Sequence, residues 1–198
     1  MRILLLGPER LSLLGFLKTF GDEVSRTEER LPTLTRSRPD YDFIVSYGYR
    51  HLIRPDWIAA FPQQVVNLHI SYLPWNRGSD PNLWSFLDDT PKGVSLHFVD
   101  AGLDTGPLIA QREVAMQEAQ ETLASSYVCL NEAMEELFRE HWPVIRAGKS
   151  VPVKQIGAGS SHRLKDREAV AHLLTQGWKT PVSELVAAYR AMKEAGIA

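Results

Sequence analysis

Cysteine, long apolar runs and an excess of either charge are all missing from this sequence of 198 residues. Cys129 is the only cysteine, which excludes an intramolecular disulfide and a zinc cluster built on cysteine ligands. No stretch approaches the roughly 18 apolar residues of a membrane span. The formal net charge of −2 gives no general attraction to nucleic acid or to a membrane surface. We therefore expect a cytoplasmic protein that binds neither.

The composition is otherwise that of an ordinary globular protein, with 44 % hydrophobic and 23 % charged residues. Short apolar runs suited to buried strands alternate with segments whose apolar residues follow helical spacing. This alternation predicts an α/β fold with an open, mostly parallel sheet flanked by helices. We expect one domain over residues 1–150 and a small loop-and-helix appendage over residues 151–198. The predicted strands are 3–6, 42–47, 65–69, 94–99 and 108–114, and the predicted helices are 11–18, 55–61, 81–86, 121–146, 167–174 and 183–192.

Two polar side chains end the strand predicted over residues 65–69. Residues two apart in a strand point to the same side, so Asn67 and His69 project together. An amide donor and an imidazole are suited to stabilising the oxyanion of an acyl transfer. The pair alone also fits a plain strand end, with Asn67 satisfying backbone groups and His69 opening a loop.

Two further loops carry polar residues that could belong to a site. Residues 100–107 follow a predicted strand and contain Asp100 and Asp104, and a carboxylate near His69 favours the protonated imidazole. The same composition also fits an ordinary turn. The second loop, residues 73–82, could bind a substrate, or its Asp80 could cap the helix that begins at Pro81.

A metal site is the other chemistry that these residues suggest. His69, His97, Asp100 and Asp104 are all of types that bind metals, but no HExxH-type spacing connects them. We therefore expect no metal.

The order of the two polar segments resembles the signature of folate-dependent formyltransferases. The resemblance rests on residues 67–74 (NLHISYLP) and 95–107 (SLHFVDAGLDTGP), and it extends over roughly residues 1–147. It implies a Rossmann-like fold that uses N10-formyltetrahydrofolate as co-substrate, with Asn67, His69 and Asp104 as the catalytic residues. It also implies folate binding by two stretches and a histidine: Tyr49, Arg50, His51, Leu52, Ile53, His97, Asp100, Ala101, Gly102 and Leu103.

The implied reaction is attack of a deprotonated amine on the formyl carbon. Asn67 and protonated His69 then stabilise the oxyanion, and Asp104 keeps His69 charged and oriented. No covalent intermediate with the enzyme is needed.

The sequence departs from some members of the family, and these departures indicate which amine accepts the formyl group. Residues 7–11 (GPERL) lack the Gly-rich phosphate loop of glycinamide ribonucleotide enzymes, and the tail resembles neither the barrel of methionyl-tRNA enzymes nor a basic tRNA-binding surface. Residues 73–94 and 157–167 resemble enzymes for nucleotide-linked amino sugars and the formylation domain of linear gramicidin synthetase. The predicted acceptor is thus a small-molecule amine on a nucleotide-linked sugar or, alternatively, a carrier-bound amino acid. A third interpretation is that the protein is a folate-binding module without activity. The residues predicted to contact the acceptor are Trp75, Asn76, Arg77 and Asp80.

The last helices have apolar faces that include Leu185, Val186, Tyr189 and Met192. These faces either pack on the main domain or form a contact between two copies in a homodimer.

Overall fold

The structure is a computed structural model that describes residues 1–35 and 38–196. The chain divides into two compact units, and each unit is assembled from three separate segments. The first unit contains residues 1–69, 96–110 and 135–155, and the second contains residues 70–95, 111–134 and 156–198. The expected boundary between a domain ending at residue 150 and an appendage stays a prediction.

A six-stranded sheet runs through the fold, in the strand order β2-β1-β3-β4-β6-β7. Three neighbouring pairs, β1 with β2, β1 with β3 and β3 with β4, are parallel. The predicted open, Rossmann-like α/β sheet flanked by helices is confirmed. The strands are β1 (Arg2–Leu6), β2 (Glu23–Thr27), β3 (Phe43–Tyr47), β4 (Val65–His69), β5 (Arg77–Gly78), β6 (Gly93–Phe98), β7 (Leu108–Glu113) and β8 (Ser161–His162).

The helices also follow the apolar spacing of the sequence. Those predicted near residues 11–18, 55–61, 81–86, 121–146 and 183–192 are present, whereas the one predicted over 167–174 is a 3₁₀ helix over Leu164–Leu173. Its first turn is fixed by Asp166, whose carboxylate accepts a hydrogen bond of 2.6 Å from the backbone N–H of Arg163. The α-helices are α1 (Leu11–Lys18), α2 (Pro55–Ala60), α3 (Pro81–Leu87), α4 (Leu123–Arg146) and α5 (Val182–Glu194).

In the first unit, both faces of the sheet are buried. Trp57 and Phe61, from α2 and the residue after it, pack against Leu4 and Ile44 of the sheet. On the opposite face, the ring of Phe43 meets that of Trp142 in α4 edge-on, with 5.3 Å between ring centroids. Because a parallel sheet covered on both faces needs apolar side chains in both directions, β1 and β3 are continuous apolar runs rather than alternating ones.

The strand β2 was not predicted, so residues 42–47 form the third strand of the chain and not the second. Its sequence is EVSRT, and its side chains are exposed or half-buried because β2 lies at the edge of the sheet. It pairs with β1 along its full length. An edge strand of this kind is held by backbone hydrogen bonds and therefore carries no apolar pattern.

The second unit has its own apolar core and its own small sheet. Residues of α3 and α5 form the core together with Leu123, Val170 and Leu173. The apolar side chains of α5 that are candidates for a dimer contact, Leu185, Val186, Tyr189 and Met192, are buried in this core. The two-residue strands β5 and β8 pair in parallel. The ring of His162 in β8 stacks on Trp84 with centroids 4.0 Å apart, and its Nε2 lies 2.9 Å from Asp88 Oδ2.

Within the described ranges, none of the helices combines the length and the apolar character that crossing a membrane requires.

Candidate active site

Asn67 is the centre of a polar cluster at the carboxyl end of β4. Its side-chain nitrogen Nδ2 donates a hydrogen bond of 3.0 Å to Asp104 Oδ1. A carboxylate can only accept, so this contact fixes which end of the amide faces Asp104. The same nitrogen lies 3.4 Å from His97 Nε2. Asn67 therefore connects the end of β4 to the end of β6 and to the loop after it.

The hydrogen bonds of His97 define its tautomer. His97 is buried, with 1 % of its surface exposed, and its Nδ1 lies 2.8 Å from the carbonyl oxygen of Phe98. Since a carbonyl accepts, Nδ1 carries a proton, and Nε2 is the ring nitrogen that faces Asn67. Nε2 is also 3.5 Å from Asp104 Oδ1. His97 thus orients Asn67 and completes the surroundings of the Asp104 carboxylate.

His69, the last residue of β4, lies on the other side of the same carboxylate. Its Nδ1 is 3.7 Å from Asp104 Oδ2, and the side chains of His69 and Asp104 are 8 % and 12 % exposed. The centroids of the His69 and His97 rings are 6.5 Å apart. The two oxygens of Asp104 thus serve different partners, with Oδ1 towards Asn67 and His97 and Oδ2 towards His69.

Asp104 has a strained backbone inside a tightly held loop. Its φ of 52° lies in the left-handed region, which Asp tolerates better than most residues. Asp100 organises the same loop, because its Oδ1 accepts hydrogen bonds from the Gly102 N–H at 3.0 Å and the Thr105 hydroxyl at 2.7 Å. A Cβ at Gly106 would lie only 1.8 Å from the carbonyl oxygen of Phe98, so the loop returns against β6 where only glycine fits.

The two stretches predicted to bind folate have exposed as well as anchored residues. Tyr49 and Ile53 pack against the apolar core on the α2 face of the sheet. The Tyr49 hydroxyl donates to the carbonyl oxygen of Glu29 at 2.7 Å, and burial raises its pKa. His51 is half-buried and meets the Tyr49 ring edge-on at 5.3 Å. The remaining members, Arg50, Leu52, Ala101, Gly102 and Leu103, are exposed.

The four residues predicted to contact the acceptor lie in the second unit and differ in their environments. Trp75 is 38 % exposed. Asn76 is completely buried, and its Nδ2 donates to the Thr90 hydroxyl at 2.7 Å. Arg77 is half-buried, and its Nη1 donates to the carbonyl oxygen of Ala158 at 3.1 Å.

Asp80 takes the N-cap position of α3 but does not cap it. Its side chain makes no capping hydrogen bond, so the alternative that Asp80 caps this helix is wrong. The physical reason is its left-handed backbone, with φ of 51°, and an ion pair of 3.2 Å between its carboxylate and Arg167 Nη1.

Sequence reasoning missed Gln155, which contacts the Asp104 loop directly. Its Nε2 donates to the carbonyl oxygens of Asp104 at 2.8 Å and Gly106 at 2.9 Å. A single glutamine outside any motif gives no signal in the sequence.

Metal ligation is the other chemistry that side chains of these types can perform. In the part of the chain that the structure describes, no group of three or more His, Cys, Asp or Glu residues is arranged to hold a metal ion.

Comparison with known proteins gives consistent results. The model of the formyl transferase family matches residues 18–140. The chain is similar to the formyltransferase PseJ from Anoxybacillus kamchatkensis, solved in complex with UDP-4,6-dideoxy-4-formamido-L-AltNAc and tetrahydrofolate. The two chains are 51 % identical with a TM-score of 0.90, and the match covers 96 % of this chain and 100 % of PseJ.

Curated sequences from two bacteria are also similar. A dTDP-4-amino-4,6-dideoxyglucose formyltransferase of Mycobacterium tuberculosis is 33 % identical over 67 % of this chain and 56 % of its own length. A methionyl-tRNA formyltransferase of Xylella fastidiosa is 32 % identical over 89 % of this chain and 56 % of its own length. The chain thus spans little more than half the length of these curated relatives. The family match and the similarity to PseJ together establish that this chain belongs to the formyl transferase family.

Proposed function

We propose that the protein transfers the formyl group of N10-formyltetrahydrofolate to the primary amine of a nucleotide-linked amino sugar. The observation that carries the proposal is the cluster of Asn67, His69, His97 and Asp104, which brings an amide donor, two imidazoles and a carboxylate together at one strand end. The ligands in the PseJ complex, a formamido sugar nucleotide and tetrahydrofolate, support this choice of product and donor.

Asn67 and His69 are the proposed oxyanion donors. As the amine attacks the formyl carbon, negative charge develops on the formyl oxygen, and one well-placed donor typically contributes about 100- to 1000-fold in rate. The contact of 3.4 Å between Asn67 and His97 is the longer of the two that the Asn67 nitrogen makes. The developing oxyanion can replace it with a stronger, charge-assisted hydrogen bond, while the bond to Asp104 is kept.

Asp104 is proposed to orient His69 and to accept the proton that the attacking amine must lose. Its Oδ2 faces His69, and Oδ1 is held by Asn67. Proton transfer by a positioned carboxylate, directly or through a water molecule, contributes typically 100- to 10,000-fold. The rest of the rate enhancement comes from holding donor and acceptor together in a reactive geometry.

The donor is proposed to lie along residues 49–53 and against the loop over residues 100–103. Tyr49 and Ile53 anchor the first stretch in the core, which leaves Arg50 and Leu52 towards solvent. Leu103, 41 % exposed, offers an apolar surface to the pterin ring. Within the second unit, Trp75 has a partly exposed ring suited to stacking, and the guanidinium of Arg77 suits a phosphate group.

Asn76 and Asp80 have less direct roles in this proposal. The buried Asn76 orders the loop through Thr90 and through the Ser160 hydroxyl, which donates to its Oδ1 at 3.1 Å. Asp80 is paired with Arg167. We therefore assign Asn76 to positioning its neighbours Trp75 and Arg77, and Asp80 to holding Arg167, rather than to contacting the acceptor.

A panel of acceptors tests the proposal. The protein is incubated with N10-formyltetrahydrofolate and, in separate reactions, UDP- and dTDP-linked amino sugars, an aminoacylated carrier protein, and methionyl-tRNA. We expect a mass gain of one carbonyl group on a nucleotide-linked sugar only. Formylation of the carrier or the tRNA instead would overturn the acceptor class. Binding of tetrahydrofolate without formylation of any acceptor would favour a folate-binding module.

A homodimer is also part of the proposal, with its contact outside the apolar face of α5, which is buried in the core of the second unit. Light scattering on the purified protein tests it. A mass of about twice the 22.3 kDa of the chain is expected.

A further inference from the structure

We propose that Gln155 is a positioning residue for formyl transfer, which holds the backbone of Asp104 in the conformation that aims its carboxylate at Asn67 and His69. This inference rests on the proposed function. It concerns a residue beyond the segments that resemble the family signature, in the tail that sequence analysis assigned to a separate appendage.

The first step is the strain at Asp104. A left-handed φ is unfavourable for an L-residue, and such a conformation persists only where its surroundings enforce it. Asp104 lies in the loop directly before Thr105 and Gly106. Its carboxylate faces two partners, with Oδ1 towards Asn67 and Oδ2 towards His69. Rotation of its backbone would move both oxygens together.

The second step is the geometry of Gln155. Its side chain is buried, with 9 % of the residue exposed, and Nε2 makes hydrogen bonds to the carbonyl oxygens of Asp104 and Gly106. An amide nitrogen has two N–H groups, so both are used on two carbonyls of one turn of the loop. This bridge fixes the direction of the Asp104–Thr105 and Gly106–Pro107 peptide groups, which holds the loop in the left-handed turn at Asp104.

The third step is how Gln155 reaches the loop. Two residues earlier, Val153 exchanges backbone hydrogen bonds of 2.8 Å in both directions with Leu108, the first residue of β7. The loop is fixed from the other side by the close approach of Gly106 to Phe98. The segment around Val153, which pairs with β7, therefore places Gln155 beside the loop. The loop itself is attached to the sheet where it begins and where it returns.

Substitution of Gln155 by methionine tests the proposal, because methionine keeps the length and removes both N–H donors. A shift of about 1 Å in a reacting group can cost on the order of 100-fold in rate, so we expect kcat to fall about 10- to 100-fold. We expect the KM for the amine acceptor to change by less than about 3-fold, since the acceptor itself is not contacted. Lys154→Met is the matched control, because Lys154 is exposed and adjacent, and it should retain the parental kcat.

A double-mutant cycle separates positioning from a simple loss of folded protein. If Gln155 acts through the Asp104 carboxylate, Gln155→Met should lower kcat less than about 2-fold in an Asp104→Asn background. The proposal is overturned if the effects of Gln155→Met and Asp104→Asn on kcat multiply in the double variant. It is also overturned if Gln155→Met retains the parental kcat. Gln155→Glu, which keeps the shape but turns an acceptor towards the two carbonyls, replaces Gln155→Met if the latter does not fold, and the same losses are expected.

Hydrogen exchange gives a readout that does not need activity. Amides of residues 100–106 should exchange faster in Gln155→Met than in the parent and in Lys154→Met. Unchanged exchange of these amides would show that Gln155 does not hold the loop. If the parent formylates no acceptor, the proposed function fails, and the exchange result still decides whether Gln155 holds the loop.

Discussion

Replacing Asn67 by alanine removes the amide that connects the two ends of the proposed catalytic cluster. The substitution deletes an oxyanion donor, which is typically worth about 2.7–4 kcal/mol, so we expect kcat to fall about 100- to 1000-fold. It also deletes the 3.0 Å hydrogen bond to Asp104 Oδ1 and the contact to His97 Nε2. A hydrogen bond to a charged group contributes roughly 1.5–3 kcal/mol to stability, and Asp104 is partly solvated, so we expect the lower end of that range in the free energy of unfolding.

The assay is the initial rate of formylation with an acceptor that the parent protein uses, at saturating N10-formyltetrahydrofolate, alongside chemical denaturation of both proteins. Asn131→Ala is a suitable control, because Asn131 is a buried asparagine of α4 whose amide donates to the carbonyl oxygen of Tyr127 at 2.6 Å. It should lower the free energy of unfolding by a similar amount and leave kcat unchanged. If Asn67→Ala retained more than about a tenth of the parental kcat, the oxyanion role of Asn67 would be refuted.

Three further variants test other parts of the structure. His69→Gln keeps a donor but removes the imidazole that faces Asp104, so kcat should fall about 100-fold or more in the same assay while tetrahydrofolate still binds. Asn76→Ala leaves its buried partner Thr90 without its hydrogen bond, so calorimetry and denaturation should show a loss of about 2–3 kcal/mol. Burial opposes ionisation of Asp22, but hydrogen bonds from Arg146 at 2.8 Å and from the amino group of Met1 outweigh it and lower the pKa of this carboxyl. Its contribution to stability is complete above the unfolded-state pKa and disappears as the pH falls through the lowered one. Asp22→Asn should therefore be less stable than the parent at neutral pH, and the difference should shrink between about pH 5 and pH 2 in urea melts.

The sequence predicts those parts of the fold that depend on apolar patterning. The first and third strands are apolar runs because the sheet is covered on both faces, and the fourth begins as one before its polar end. The helix α4 shows helical spacing because one of its faces is buried. The strand β2 could not be found in this way, since backbone pairing with β1 holds it and its side chains are exposed or only half-buried. The two-residue strands β5 and β8 are too short to carry any pattern.

The candidate site likewise has parts that the sequence predicts and parts that it does not. The convergence of Asn67, His69 and Asp104 follows from strand ends and from the family motif, and the structure brings the three together. The distribution of partners does not follow from the motif. The carboxylate of Asp104 accepts a hydrogen bond of 3.0 Å from Asn67, whereas His69 Nδ1 lies 3.7 Å from its other oxygen. The roles of Gln155 and Asn76 depend on long-range packing, which a single sequence does not reveal.

The way the chain divides into units constrains how such a protein can change its acceptor. The second unit contains every residue predicted to contact the acceptor, yet it is encoded by three stretches that are separated by parts of the first unit. The exchange of one continuous gene segment between two relatives could therefore not transfer this unit as a whole. Diversification of acceptors on this scaffold should therefore proceed by point substitutions and by replacement of short loops such as residues 73–80. Hybrid proteins joined once along the sequence should contain mismatched cores and fold poorly.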